Sequence, residues 1–180
     1  MSIAAGQTIT NFEKAFGETQ PIIRAMPNTP SAIGQGISVA VANPHASDDH
    51  KQQTTKLLEA IGMVEWMDDE DLLNAVTALS GSGPAYYFLI MEIMQEIGEE
   101  LGLSPEVSRQ LTLQTALGAA KMAVSSDVDA AELRRRVSSP GGTTERAIEA
   151  FEAGNLKTLF REAMNSAVKR AAEMADELAN

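Results

Sequence analysis

The segment Pro84-Ala-Tyr-Tyr-Phe-Leu-Ile-Met-Glu-Ile-Met94 decides the fold, because its first two helical turns have almost no polar side. It follows a Gly81-Ser-Gly83 turn, and its pattern predicts a helix over residues 84–101. A helix that is apolar on all sides has to be surrounded by other helices. The chain is therefore expected to contain a helical domain in which this segment is central.

The sequence on either side of this helix divides into two domains. Residues 69–180 carry helical periodicity almost without interruption, whereas residues 1–68 mix short apolar runs with turn residues. Strands alternating with helices in the first part predict a piece of an α/β sheet. Three short strands cannot cover both faces of such a sheet, so either something is missing or something else covers its edge. The strands are expected at residues 22–26, 36–41 and 63–67, with helices at 10–16 and 49–61. Six helices are expected in the second part, at residues 71–79, 84–101, 105–124, 129–137, 144–151 and 156–178.

The helix that starts at Pro105 has a face of small residues that lets another backbone come close. Six short helices cannot bury this face and the apolar helix after Pro84 within one chain. We therefore expect an interlocked homodimer. The small residues are Ala116, Gly118, Ala119, Ala120 and Ala123.

Composition excludes several classes of partner. The chain has 14 basic and 25 acidic residues, a net charge of −11, so nucleic acid and anionic membranes are unsuitable partners. Cysteine is absent, and His45 and His50 have no third ligand nearby, so no metal site is expected. No apolar run approaches the length of a membrane-spanning helix, and no secretory signal is visible at the start. These features favour a cytoplasmic protein.

The segment Val137-Ser-Ser-Pro-Gly-Gly-Thr-Thr-Glu145 places two glycines and two hydroxyl residues at a predicted helix start. Free backbone N–H groups gather at such a position and can bind a carboxylate or phosphate oxygen. An ordinary capped turn between two helices explains the same pattern. Likewise, Met26-Pro-Asn-Thr-Pro30 after a predicted strand is either a ligand-binding loop or a proline-rich turn.

Five segments with distinctive motifs follow one another in order along the chain. They are Ser2-Ile-Ala-Ala-Gly6, Arg24-Ala-Met-Pro-Asn-Thr-Pro30, Thr77-Ala-Leu-Ser-Gly-Ser-Gly-Pro-Ala-Tyr86, Gly118-Ala-Ala-Lys-Met122 and Val137-Ser-Ser-Pro-Gly-Gly-Thr-Thr144. Taken together, these segments resemble pyrroline-5-carboxylate reductases. The family's fold is a Rossmann domain followed by an all-α helical dimerisation domain, so the resemblance implies an α/β remnant of a Rossmann domain over residues 1–68. The glycine fingerprint G-x-G-x-x-G is absent, since none of the 13 glycines fits its spacing.

The resemblance implies reduction of 1-pyrroline-5-carboxylate to L-proline by NADPH or NADH. The absent glycine fingerprint leaves two alternatives for this chain alone, an active reductase or an inactive fragment. The backbone of the turn and the Ser139 hydroxyl would bind the substrate carboxylate, and Thr144 would contact the ring nitrogen as the catalytic residue. The expected substrate-binding residues are Ser139, Gly141, Gly142, Thr143 and Thr144. The expected residues on the nicotinamide side are Ala4, Ala5, Asn28, Thr29 and Pro30.

Two other functions fit parts of the sequence. A related hydroxyacid dehydrogenase would use a lysine as acid and base, for which Lys121 is the candidate. A non-catalytic dimerisation or ligand-binding module is consistent with the missing glycine fingerprint.

Overall fold

The computed structural model describes the backbone of residues 1–179 and the side chains of residues 1–177. Leu178, where the last predicted helix ends, has its side chain outside the described residues, and Asn180, the end of the second predicted domain, lies outside them altogether. The chain forms two compact units. One comprises Met1–Ala85 with the described residues from Arg161 onward, and the other comprises Tyr86–Phe160. The predicted domain boundary between residues 68 and 69 stays a prediction.

The first unit contains the strands β1 (Ile23–Met26), β2 (Gly36–Ala42) and β3 (Gly62–Trp66) in that spatial order. Helix α1 (Ile9–Phe16) precedes β1, and helix α2 (Asp48–Glu59) connects β2 to β3. Strand β2 is antiparallel to β1 and parallel to β3. The direction changes because only the β2–β3 connection includes the crossover helix that a parallel pair needs.

Both faces of this small sheet are covered. Ile23, Ala25 and Ala40 pack with Leu58 of α2 on one face. Residues that alternate with them, among them Met26, Val39 and Val41, pack on the other face with Leu73 and Val76. Residues 1–68 therefore do not cover both faces by themselves, in agreement with the expectation from the sequence. The second cover comes from α3 (Leu73–Val76), a short helix in the part of the sequence predicted to be helical.

Glu70 connects three elements of the first unit. Its carboxylate pairs with Arg24, which is 8% exposed in β1, and its Oε1 also accepts from the Ile9 N–H of α1 at 2.8 Å. From sequence, the acidic run over residues 68–71 is expected only to complement a helix N-terminus. Asp69 does this by accepting from the Asp71 N–H, while Glu70 holds α1 and β1 together.

The remaining helices end close to their predicted boundaries. A 3₁₀ turn, α3 and a π-helical turn over Thr77–Gly81 replace the single helix expected at residues 71–79. At the α4–α5 contact, the Ser108 hydroxyl donates to the Gln95 carbonyl at 2.8 Å, beside Gly98. The helices are α4 (Gly83–Glu100), α5 (Pro105–Val124), α6 (Ala130–Arg136), α7 (Thr143–Ala153) and α8 (Leu156–Ala179).

Helix α4 leaves much of its apolar surface uncovered within one chain. Tyr87, Phe88 and Leu89 are between 55% and 66% exposed. Such a contiguous apolar surface marks an interaction face. No helix in the described part of the chain is long and apolar enough to cross a membrane.

Candidate functional site

The Ser138–Gly142 segment forms a tight turn between α6 and α7. The Gly142 N–H donates to the Ser139 carbonyl at 2.9 Å, which closes a four-residue turn around Pro140 and Gly141. Gly141 has a φ of 72°, in the left-handed region that favours glycine. Proline followed by glycine with positive φ is the type II pattern, so the sequence of the turn suits its backbone.

The turn does not present all of its amides to a ligand, which differs from the expectation. Gly142 is engaged with Ser139, and the Gly141 N–H donates to Glu145 Oε2 at 2.7 Å. At the start of α7, the Thr143 and Thr144 N–H groups have no acceptor among the described residues. The available anion-binding donors are therefore those of the first helical turn, where the helix dipole also favours negative charge.

The hydroxyl groups beside these amides differ in exposure. Ser139 and Thr143 are exposed, and Thr144 is half-buried. The Ser139 hydroxyl makes no hydrogen bond within the described chain, whereas the Ser138 hydroxyl donates to the Arg134 carbonyl at 2.8 Å. Ser138 thus holds the end of α6, while Ser139 keeps its hydroxyl available to a ligand.

An ion pair joins α6 to α7 on either side of the turn. Arg134 Nη1 lies 3.2 Å from Glu152 Oε1, with both side chains largely exposed. The neighbouring Arg135 and Arg136 both bind Glu132, and their hydrogen bonds lower the pKa of that carboxyl. The three arginines therefore have carboxylate partners, so their positive charge is largely balanced locally.

The residues predicted on the nicotinamide side emerge at one end of the sheet. Ser2 forms a parallel bridge with Arg24, with its N–H 2.9 Å from the Ile23 carbonyl. From Ser2 onward, the chain therefore runs in the same direction as β1. This direction brings Ala4 and Ala5 to the end of the sheet at which β1 leads into Asn28. Ala4 and Ala5 are exposed there.

Asn28 has a structural role in this loop. Its Oδ1 accepts from the Ile37 N–H at 3.0 Å, which fixes the loop to the start of β2. Thr29 and Pro30 begin a 3₁₀ helix over Thr29–Ile33, with Thr29 exposed and Pro30 half-buried. Within that helix the Ser31 hydroxyl is buried without a partner in the described chain, a feature that sequence reasoning missed. The Asn28 amide nitrogen has no acceptor among the described residues and is available as a donor.

The remaining candidates from the sequence are exposed side chains. Lys121 is exposed in the last turn of α5 and has no ion pair within the described residues. His45 and His50 are exposed, and His50 completes a capping box with Ser47 at the start of α2. The described residues contain no group of three His, Asp or Glu side chains placed to hold a metal ion.

Comparison with known proteins identifies the family. Residues 70–174 match the family described as pyrroline-5-carboxylate reductase dimerisation. The chain belongs to the pyrroline-5-carboxylate reductase family. A Pseudomonas aeruginosa pyrroline-5-carboxylate reductase is 52% identical over 99% of the chain, and a Vibrio alginolyticus one is 41% identical over 97%. The chain spans 65% and 64% of the lengths of these two relatives.

Solved structures of pyrroline-5-carboxylate reductases confirm the fold. The Coxiella burnetii reductase superposes with a TM-score of 0.93 at 47% identity, covering 97% of this chain and 64% of the other. A Plasmodium falciparum reductase with NADP bound superposes at 0.90 with 30% identity, covering 97% and 68%. The α/β remnant of a Rossmann domain followed by a helical dimerisation domain is thereby confirmed as the fold class.

Proposed function

We propose that this chain provides the substrate-binding turn and the nicotinamide-side loop for reduction of 1-pyrroline-5-carboxylate to L-proline, the last step of proline biosynthesis. The observation that carries the proposal is the pair of free N–H groups of Thr143 and Thr144 beside the Ser139 hydroxyl. In this family, these N–H and hydroxyl donors would bind the carboxylate of a small amino acid. A carboxylate at a helix N-terminus gains from both hydrogen bonds and the dipole.

Thr144 would act on the imine while its backbone holds the carboxylate. Reduction adds a hydride to C5 of the ring and a proton to the ring nitrogen. A hydroxyl directed at that nitrogen orients the imine for protonation, and a protonated imine is the better hydride acceptor. The turn offers no side chain that titrates near neutral pH, so orientation is its main contribution.

The residues at one end of the sheet fit the nicotinamide part of NADPH or NADH. Ala4, Ala5, Asn28, Thr29 and Pro30 lie at one end of the sheet, where small side chains and the Asn28 amide would accept a nicotinamide ring. When bound, the cofactor supplies the hydride. The sequence has no G-x-G-x-x-G to hold the phosphates, so these residues support only the nicotinamide side of the site.

Assembly as a homodimer in the cytoplasm is part of the same proposal. The exposed apolar side chains of α4 lie inside the segment that matches the dimerisation model of the family. A second copy of the chain would cover them, as the apolar pattern of this helix requires.

The test of the catalytic role replaces Thr144 by Val in a full-length relative that carries the same turn. Loss of the hydroxyl should reduce turnover by roughly 10- to 100-fold without unfolding, while Thr144→Ser retains most of the activity. Steady-state kinetics and circular dichroism provide the two readouts. Unchanged turnover in the valine variant would exclude this role for Thr144.

The free Thr143 and Thr144 amides would also serve one other function, that of a ligand-binding module without catalysis. Calorimetry on this chain distinguishes the two. L-proline binding without any binding of nicotinamide mononucleotide supports the module, whereas binding of both supports the reductase.

A further inference from the structure

Glu145 forms a hydrogen bond to the Ser138–Gly142 turn, and no role has been given to this residue above. Its Oε2 accepts from the Gly141 N–H at 2.7 Å, and its side chain is half-buried. It lies in the first turn of α7, immediately after the two threonines whose amides are free. The hydrogen bond therefore links the first turn of α7 to Gly141 in the segment that precedes the helix.

Gly141 needs such a partner for a conformational reason. With φ at 72° it sits in the left-handed region, and no other acceptor is available to its N–H among the described residues. Glycine is the most flexible residue of a chain, so an unrestrained Gly-Gly pair would sample many backbone states. A charged acceptor makes a hydrogen bond roughly twice as strong as a neutral one and is suited to select one of these states.

We infer that Glu145 is a positioning residue that holds the Ser139–Gly142 turn in the shape that leaves the Thr143 and Thr144 amides free. This inference rests on the proposed function, because those amides are the donors assigned to the substrate carboxylate. Glu145 contributes no contact with the ligand. It acts through Gly141, because the Gly141 N–H that donates to Glu145 is no longer available to an anion.

The same helix offers a matched control. Glu149 also follows the turn and carries a carboxylate, but it pairs with Arg146 at 2.9 Å and does not reach Gly141. Replacement of Glu149 by Ala removes an equal charge and leaves the turn unchanged. Any effect of charge alone is therefore common to both substitutions.

The experiment measures amide exchange and ligand binding by NMR on the 180-residue chain with L-proline as the probe. Glu145→Ala should accelerate solvent exchange of the Gly141 amide and weaken L-proline binding by about three- to tenfold, the usual effect of one charge-assisted hydrogen bond. Glu145→Gln retains an acceptor oxygen and should restore most of both properties. Glu149→Ala should change neither.

Two results would overturn the inference: unchanged Gly141 exchange in Glu145→Ala, or exchange that rises while L-proline binds equally or more tightly. The second would show that Glu145 competes with the ligand instead of preparing its site. Failure of the proposed function looks different, because L-proline would then leave the Thr143 and Thr144 resonances of the unmodified chain unshifted. In that case the exchange data alone decide whether Glu145 holds the turn.

Discussion

Individual carboxylates determine how the ends of α6 are arranged. Asp129 caps the helix by accepting from the Glu132 N–H at 2.8 Å, as its spacing predicts. The Glu132 carboxylate binds Arg135 at 2.7 Å and Arg136 at 2.8 Å. Hydrogen bonds from Arg135 and then from Arg136 lower the pKa of Glu132, and the hydrogen bond with Glu132 raises the pKa of Arg135. These exposed contacts order the helix end without contributing much to global stability.

The titration of Glu132 provides a test at this scale. Since its folded-state pKa is lowered, the stabilisation is present above the unfolded-state pKa and is lost as the pH falls through the folded value. We expect ¹³C NMR to show Glu132 titrating below the ordinary glutamate range. Arg135→Ala should move the midpoint upward, while Arg146→Ala should leave it in place. An identical midpoint in the Arg135 variant would contradict the assignment.

Among the elements, β2 and β3 begin their parallel pairing at two glycines that face one another. Gly36 pairs with Gly62, and a Cβ added to Gly62 would lie 2.0 Å from the Gly36 carbonyl oxygen. Gly62 also has a φ of 149°, so strain and collision act together at this position. The start of the parallel pair therefore requires glycine for both steric and conformational reasons.

Gly62→Ala should lower the free energy of unfolding by more than about 2 kcal/mol, because the backbone of Gly36 cannot move aside easily. Gly34→Ala is the control, since Gly34 has a φ of 69° but open space around its Cβ position. It should cost about 1 kcal/mol. Urea unfolding measures both variants, and equal losses would show that backbone strain alone governs the two sites.

For the whole molecule, the main question is what covers its exposed apolar helices. Leu89 on α4 is 55% exposed, and Leu57 on α2 is 65% exposed. Only Leu89 lies within residues 70–174, the part that matches the dimerisation family. Exposure is therefore similar at the two leucines, while the family assignment distinguishes them.

Replacement of Leu89 by Glu should convert a dimer into monomers, because a charge would have to be buried without a partner in the interface. Leu57→Glu makes the same change outside the dimerisation segment and should leave the dimer intact. Sedimentation velocity distinguishes the species by mass. A Leu89 variant that remains dimeric would place the interface elsewhere on the helices.

Local patterns predicted most helix and strand positions. Ser104 at the start of α5 and Asp129 at the start of α6 cap their helices as their spacing indicates, because a cap involves residues only three positions apart. The Asn28 side chain could not be placed in this way. Its partner Ile37 lies nine positions away, across a 3₁₀ helix, and becomes a neighbour only once β2 has formed.

By itself, the sequence determined where most helices begin and end, which segments are apolar, and to which family its motifs point. These properties depend on residues close together along the chain. Only the tertiary structure decided that β1 runs antiparallel to β2, that Leu73 and Val76 cover the second face of the sheet, and that Glu145 takes the Gly141 amide while Thr143 and Thr144 stay free. Strand direction and sheet cover depend on distant segments. The choice among neighbouring amides depends on backbone angles that the order of residues does not specify.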